Sequence, residues 1–317
     1  MAQSLFMALK IRFPENRIDV LAPGWTRALL ERMPEVNQGV DMPVGHGEFG
    51  FMQRLNLGRR LRANSYNQAI ILPGSWKSAL IPYFAKIPKR TGFIGEQRWG
   101  LLNDIRALNK QELSKTVQRF VALGFDKNTS QFPEWPTPRL TSNTAGQEKI
   151  IAKFNLTEGR NRLVLCPGAE YGPAKQWPAE YFSEIARHQL AEGWDVWLIG
   201  SEKDRTIASE INEAAENGCL NFCGETNLAE AVDLMSLADV ILSNDSGLMH
   251  VAAALGKKLI ALYGSSDPGF TPPLSERAHI LYLNIECSPC FKRVCPLGHL
   301  RCLNEITPDQ VLSKLSA

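Results

Sequence analysis

Apolar positions along this chain follow two rhythms. Short unbroken apolar runs alternate with longer stretches whose apolar residues return every three or four positions. The runs predict buried strands and the stretches predict amphipathic helices. The chain opens on a helix over 2–12, with Leu5, Phe6 and Leu9 on one side, and Pro14 ends it. Strand 18–22, helix 25–33 and a short strand within 36–42 follow. Helix 49–64 is basic on its polar face, carrying Arg54, Arg59, Arg60 and Arg62. Strand 68–72 leads through Pro73-Gly74-Ser75-Trp76-Lys77 into a helix ending at Phe84, then strand 90–95 and helix 113–123.

The second half repeats the alternation more cleanly. Strands fall at 162–166, 194–199, 220–223, 240–242 and 259–262. Helices fall at 178–191, 203–215, 228–237 and 246–255, and a last one runs from Pro308 to Leu315. Such β–α alternation predicts an α/β fold with parallel, doubly wound sheets. Between the halves, 126–146 is aperiodic, and Phe132-Pro133-Glu134-Trp135-Pro136-Thr137-Pro138 has the composition of an interdomain connection. A helix over 147–154 opens the second half. The expected domains are therefore 1–145 and 146–317.

One stretch, Ala238 to Leu255, joins a buried strand to a helix through Asn244-Asp245-Ser246-Gly247. A helix beginning there offers free backbone N–H groups and the positive end of its dipole, an anion site by geometry. One polar residue suffices as a cap, so Asp245, Ser246 and His250 exceed that need. From spacing alone, a capped helix with a hydrogen-bonded histidine and a functional site are equally good readings. Other loops end at the same sheet edge. After Cys166 come Gly168, Gly172 and, just before a helix, Lys175. A lysine there is misplaced against the dipole unless an anion lies between them; a solvated surface lysine is the alternative. Asp204, in the Gly200–Asp204 loop, suits either a ribose hydroxyl or the helix dipole. The Tyr263–Pro268 loop is either an ordinary turn or a cover for the same ligand.

Composition narrows the field. The 317 residues are 44% hydrophobic and 21% charged, with a net charge of +2, so neither disorder nor a nucleic-acid surface is indicated. No secretory signal and no apolar run long enough to span a membrane is visible, which points to the cytoplasm. P-loop, dinucleotide-binding and nucleophile-elbow motifs are absent. Four of the seven cysteines, Cys287, Cys290, Cys295 and Cys302, cluster at a spacing able to hold zinc or iron–sulfur. It lacks the two-by-two symmetry of common zinc knuckles, so a reduced structural loop is the favoured reading.

Three segments are recognisable together: Cys166-Pro167-Gly168-Ala169-Glu170-Tyr171-Gly172-Pro173-Ala174-Lys175-Gln176-Trp177-Pro178, Ser243 to Ala254, and Leu262-Tyr263-Gly264-Ser265-Ser266-Asp267. They resemble glycosyltransferase family nine. Leu72 to Leu80 and Arg90 to Asp104 narrow the resemblance to its ADP-heptose:lipopolysaccharide heptosyltransferase II group.

The resemblance implies a GT-B fold, two Rossmann-like domains facing across a cleft, with the donor on the C-terminal one. It implies inverting transfer of L-glycero-D-manno-heptose from ADP-heptose to the first heptose of the lipopolysaccharide inner core, without a catalytic metal or cofactor. Heptosyltransferase I or III, with another acceptor, is the variant reading. Lys175, Asp245 and His250 take the catalytic positions. Gly168, Ala169, Glu170, Asp204, Thr226, Ser246, Gly247 and Met249 take donor-binding ones. From charge placement, Lys77, Arg90 and Arg98 are expected to meet the anionic acceptor, at the cytoplasmic face of the inner membrane. The front of the chain departs from the resemblance. Family members begin with a strand and a G-x-S-W-V-G-D loop, which carries the expected general base, ahead of the helix that here starts at Met1. A weakened N-terminal domain and loss of most activity are expected of the chain as written. The rival class is an ADP-heptose-binding protein without catalysis.

Overall fold

The computed structural model describes residues 1–45, 47–127, 129, 134–157 and 159–316; Phe132 and Pro133 of the expected connection lie outside them. Two compact units are present, Met1–Pro136 and Thr137–Ala317. The division precedes the expected 145/146 boundary because residues from 137 onward pack with the second unit. Leu140 is buried and donates its N–H to Ala254 O at 2.9 Å. Asn143 caps the helix Thr144–Phe154, accepting from Gly146 N at 3.1 Å.

The first unit opens on the helix Ala2–Arg12, whose Leu5, Phe6 and Ala8 are buried. Its strands are β1 (Asp19–Ala22), β2 (Gln38–Asp41), β3 (Gln68–Ile70), β4 (Lys89–Phe93) and β5 (Asp104–Arg106). All pairings are parallel, but they form two groups, β1-β2 and β3-β4-β5, rather than one sheet. No described strand pairs with the remaining edges of β1 and β3. The expected helix 25–33 shrinks to a 3₁₀ turn and Arg27–Leu30. β5 escapes the hydrophobic pattern because two of its three residues are charged, Arg106 forking onto Asp104 with two 2.8 Å contacts.

The second unit holds β6 (Arg162–Cys166), β7 (Asp195–Leu198), β8 (Leu220–Asn221), β9 (Val240–Asn244), β10 (Lys258–Tyr263) and β11 (Ala278–Tyr282). They form one parallel sheet in the order β11-β10-β9-β6-β7-β8. This is the Rossmann order, with helices on both faces. β6, β7, β9 and β10 are buried along nearly their whole length. That burial on both faces is why they appear in sequence as continuous apolar runs. β11 went unforeseen because it is a half-exposed edge, its Ile280 among the exposed apolar residues. Trp177, Phe182 and, within β7, Trp197 are fully buried, and Trp177 Nε1 donates to Ile306 O at 2.8 Å.

Strand order reverses between β6 and β9, which are direct neighbours with Leu165 paired to Leu242. In open parallel sheets the crevice at the carboxyl ends of two such strands is the ligand position. Here it is formed by the Pro167–Trp177 loop and the Asn244–Gly247 joint.

Candidate active site

Asn244, the last residue of β9, ties the two loops together. Its Nδ2 donates to Pro167 O at 2.7 Å, and its Oδ1 accepts Trp177 N at 3.1 Å. All three residues are buried, so each bond satisfies a group that water cannot reach. Asp245 follows. Lys175 Nζ stands 2.5 Å from Asp245 Oδ2, and Ser266 Oγ donates to the same oxygen. Asp245 is buried and Lys175 is mostly so. Ser266 comes from the loop after β10, the loop whose sequence allowed either an ordinary turn or a cover. Only the third-loop position at one sheet edge hinted at Ser266.

Ser246 is the N-cap of the helix Gly247–Ala254, accepting from Met249 N at 3.5 Å. The N–H groups of Gly247 and Leu248 have no partner within the helix, by the geometry of a first turn. Gly247 is exposed, and a Cβ there would meet nothing within 4 Å. The helix start is therefore open to a ligand. Met249 faces the other way. Its side chain is fully buried, so only its backbone belongs to the cap. Burial lowers the pKa of His250 to about 4, Lys175 pushing the same way and Asp245 opposing. The ring is neutral at physiological pH and able to accept or donate one hydrogen bond.

The adjoining loops extend the crevice. Asp204 Oδ2 accepts from Ser201 N at 2.8 Å and Ser201 Oγ at 2.7 Å, a reciprocal cap. Its carboxylate also lies against Gly168, where a Cβ would come within 2.5 Å of it. Gly168 and Asp204 are thus brought together, and any larger residue at 168 would push the acid aside. Ala169 O accepts Gly172 N at 3.0 Å, shaping the turn before Lys175. Glu170 is exposed and pairs with Lys203 at 2.6 Å. The loop after β8 joins the loop after β7, Gly224 N donating to Gly200 O at 3.2 Å. In the loop after β8, Thr226 Oγ1 is buried with no partner among the described residues.

The acceptor-side expectations fare differently. Arg98 is only 1% exposed. Its Nη1 donates to Pro73 O at 2.7 Å and its Nη2 to Phe93 O, so it ties the ends of β3 and β4 and is closed to a ligand. Arg90 stands at the amino end of β4, opposite the ligand edge, its Nε on Leu101 O at 2.7 Å and Nη1 on Ile87 O at 2.6 Å. Both arginines are spent on backbone carbonyls that the fold would otherwise bury unsatisfied. Lys77 does lie at the carboxyl edge, after β3. Its Nζ is 3.2 Å from the carbonyls of Gly47 and Glu48. The four clustered cysteines are free thiols. Among the described residues, no three metal-binding side chains converge.

Fold and site together define a class: an α/β protein whose Rossmann-type sheet is equipped at its switch point to hold a phosphorylated ligand. Comparison with known proteins makes this particular. Residues 54–301 match the model of glycosyltransferase family 9, the heptosyltransferases. The chain is 44% identical to lipopolysaccharide heptosyltransferase 2 of Escherichia coli over 326 aligned positions, covering all of this chain and 94% of the relative. It is 44% identical to lipooligosaccharide heptosyltransferase 2 of Haemophilus influenzae, again over all of this chain and 94% of the relative. The solved structure of the E. coli ADP-heptose lipopolysaccharide heptosyltransferase II superposes with a TM-score of 0.86 at 42% identity, covering 99% of this chain and 93% of that one. The chain belongs to glycosyltransferase family 9 and has the α/β GT-B fold of these enzymes.

Proposed function

We propose that the chain transfers L-glycero-D-manno-heptose from ADP-heptose to the first heptose of the lipopolysaccharide inner core, with inversion at the anomeric carbon. The observation that carries this is the Lys175–Asp245 contact beside the open, Ser246-capped helix start. Support for the substrates is the identity of 44%, over the whole chain, to a protein named for lipopolysaccharide heptose transfer.

In this reading the donor diphosphate lies on the N–H groups of Gly247 and Leu248 and on Lys175. The acceptor hydroxyl oxygen bonds to the anomeric carbon and its proton leaves to solvent, while the bond from that carbon to the terminal phosphate oxygen breaks and ADP departs. Negative charge grows on the departing phosphate, where a fixed ammonium and a helix dipole stabilise it most. Asp245 turns its oxygens to the heptose hydroxyls as the diphosphate draws Lys175 away. Neutral His250 hydrogen-bonds the sugar from the same helix. Gly168, Ala169 and Glu170 border the diphosphate, while Asp204 and Thr226 take the adenosine end. Lys77 remains as the acceptor-side cation.

The acceptor is a glycolipid, so the protein works peripherally at the cytoplasmic face of the inner membrane. An exposed cluster in the first unit supports this. Phe49 lies 5.2 Å from Trp76 and 5.9 Å from Phe51, ring centre to ring centre, with exposed Met52 adjoining in sequence. A purified-protein assay with ADP-heptose and heptosyl-Kdo2–lipid A tests the function. ADP release matched by one heptose added to the acceptor is expected, however slow the turnover. Donor binding with no transfer to any inner-core acceptor would contradict it and leave a nucleotide-sugar-binding protein.

A further inference from the structure

The cysteine-rich segment 287–302 has no role in that reading, yet it is fastened to the site. Ser288 Oγ donates to Gly264 O at 2.6 Å, and Phe291 N donates to Ser265 O at 2.7 Å. Ala174 N donates to Arg293 O at 3.0 Å, and Tyr171 Oη donates to Phe291 O at 2.8 Å. Gly172 makes the approach possible: its φ is +146°, and a Cβ there would stand 2.6 Å from Arg293 O. The segment is therefore pinned to the loops that carry Lys175 and Ser266.

Pinning places a second cation at the site. Lys175 Nζ lies 5.1 Å from the centre of the Tyr171 ring, and Arg293 Cζ lies 5.3 Å from the same centre. Among the described residues no carboxylate pairs with Arg293, whereas Lys175 is already held by Asp245. A second cation adds to Lys175 as the leaving group becomes more negative and its bond breaks. A guanidinium offers two parallel donors matched to phosphate oxygens.

We propose that Arg293, presented by the 287–302 segment and braced on Tyr171, is a second donor-contacting cation that binds the terminal phosphate of the nucleoside diphosphate. This rests on the glycosyl-transfer reading above and adds a residue to it. Arg293 is exposed and its backbone makes the tethering bonds, so replacing its side chain leaves the segment in place.

Calorimetry with ADP and with AMP, on wild type, Arg293→Gln and Arg293→Lys, tests it. AMP lacks the terminal phosphate. Arg293→Gln is expected to weaken ADP binding about tenfold or more while leaving AMP binding unchanged, the size of a lost charge-assisted contact. Arg293→Lys falls between, because it keeps the charge and loses the fork. Unchanged ADP binding in Arg293→Gln, or an equal loss for ADP and AMP, overturns the assignment. Transfer is measured on the wild type alongside. ADP binding without any heptose transfer would defeat the transferase reading, while the ADP–AMP contrast would still decide Arg293.

Discussion

Sulfurs of one chain can differ widely in reactivity because each answers to its own surroundings. The backbone N–H groups of Leu300, Leu297, Gly298 and His299 surround Cys295 Sγ and lower its pKa. Burial does the opposite elsewhere, raising Cys219 to about 11, Cys223 to about 12 and Cys166 higher still. Since the thiolate is the reactive form, brief iodoacetamide treatment of the native protein near neutral pH should label Cys295 well before these three. Peptide mass mapping reads the order, and equal labelling of Cys166 and Cys295 would contradict it. The same contrast governs the arginines. In sequence Arg90, Arg98 and Lys77 are alike as charges, and only the fold decides which is spent. Two arginines serve carbonyls at strand ends, and the lysine alone keeps its place on the ligand edge.

At the level of elements, the switch-point crevice exists because one side chain laces its two loops. Removing the Asn244 amide would leave Pro167 O and Trp177 N buried without partners. Each such group costs about 1–3 kcal/mol, so Asn244→Ala should lower stability by on the order of 3 kcal/mol and weaken ADP binding with it. Urea unfolding checks the first effect and calorimetry the second; an unchanged urea midpoint would contradict the account. The crevice was legible in sequence for a physical reason. Buried parallel strands are continuous apolar runs, and a polar, Gly-containing joint after such a run marks both the strand end and the helix cap. Lys175, Asp245 and Ser246 stand out in that pattern, which leaves a plain cap and a solvated lysine open beside a ligand site; their expected roles come from the family resemblance. Ser266, Tyr171 and Arg293 do not stand out, because their contacts join segments far apart in the chain and no local period records them. β5 and β11 were missed for a related reason: a charged pair and a half-exposed edge carry no clean period. Met249 looked available because its position on the helix is adjacent to the cap, while its side chain turns into the core.

For the whole molecule, the membrane attachment proposed above would run through the surface. Among the described residues no helix is long and apolar enough to cross a bilayer. The Phe49, Phe51, Met52 and Trp76 cluster, with Lys77 beside it and exposed Arg59 and Arg60 further along the helix Phe51–Leu61, has the mix that interfacial binding uses. Phe51→Ser with Trp76→Ser should reduce co-sedimentation with anionic lipid vesicles and leave transfer to a delipidated, soluble acceptor intact. Equal co-sedimentation of variant and wild type would contradict the assignment of this face.

The Lys175–Asp245 pair is proposed to hold an activated sugar at the switch point. Calorimetric titration of ADP-heptose into wild type, Lys175→Ala and Asp245→Ala measures that directly. Loss of affinity by about tenfold or more in Lys175→Ala, with a smaller loss for ADP than for ADP-heptose in Asp245→Ala, is the predicted result. Wild-type affinity for ADP-heptose in both variants would contradict it.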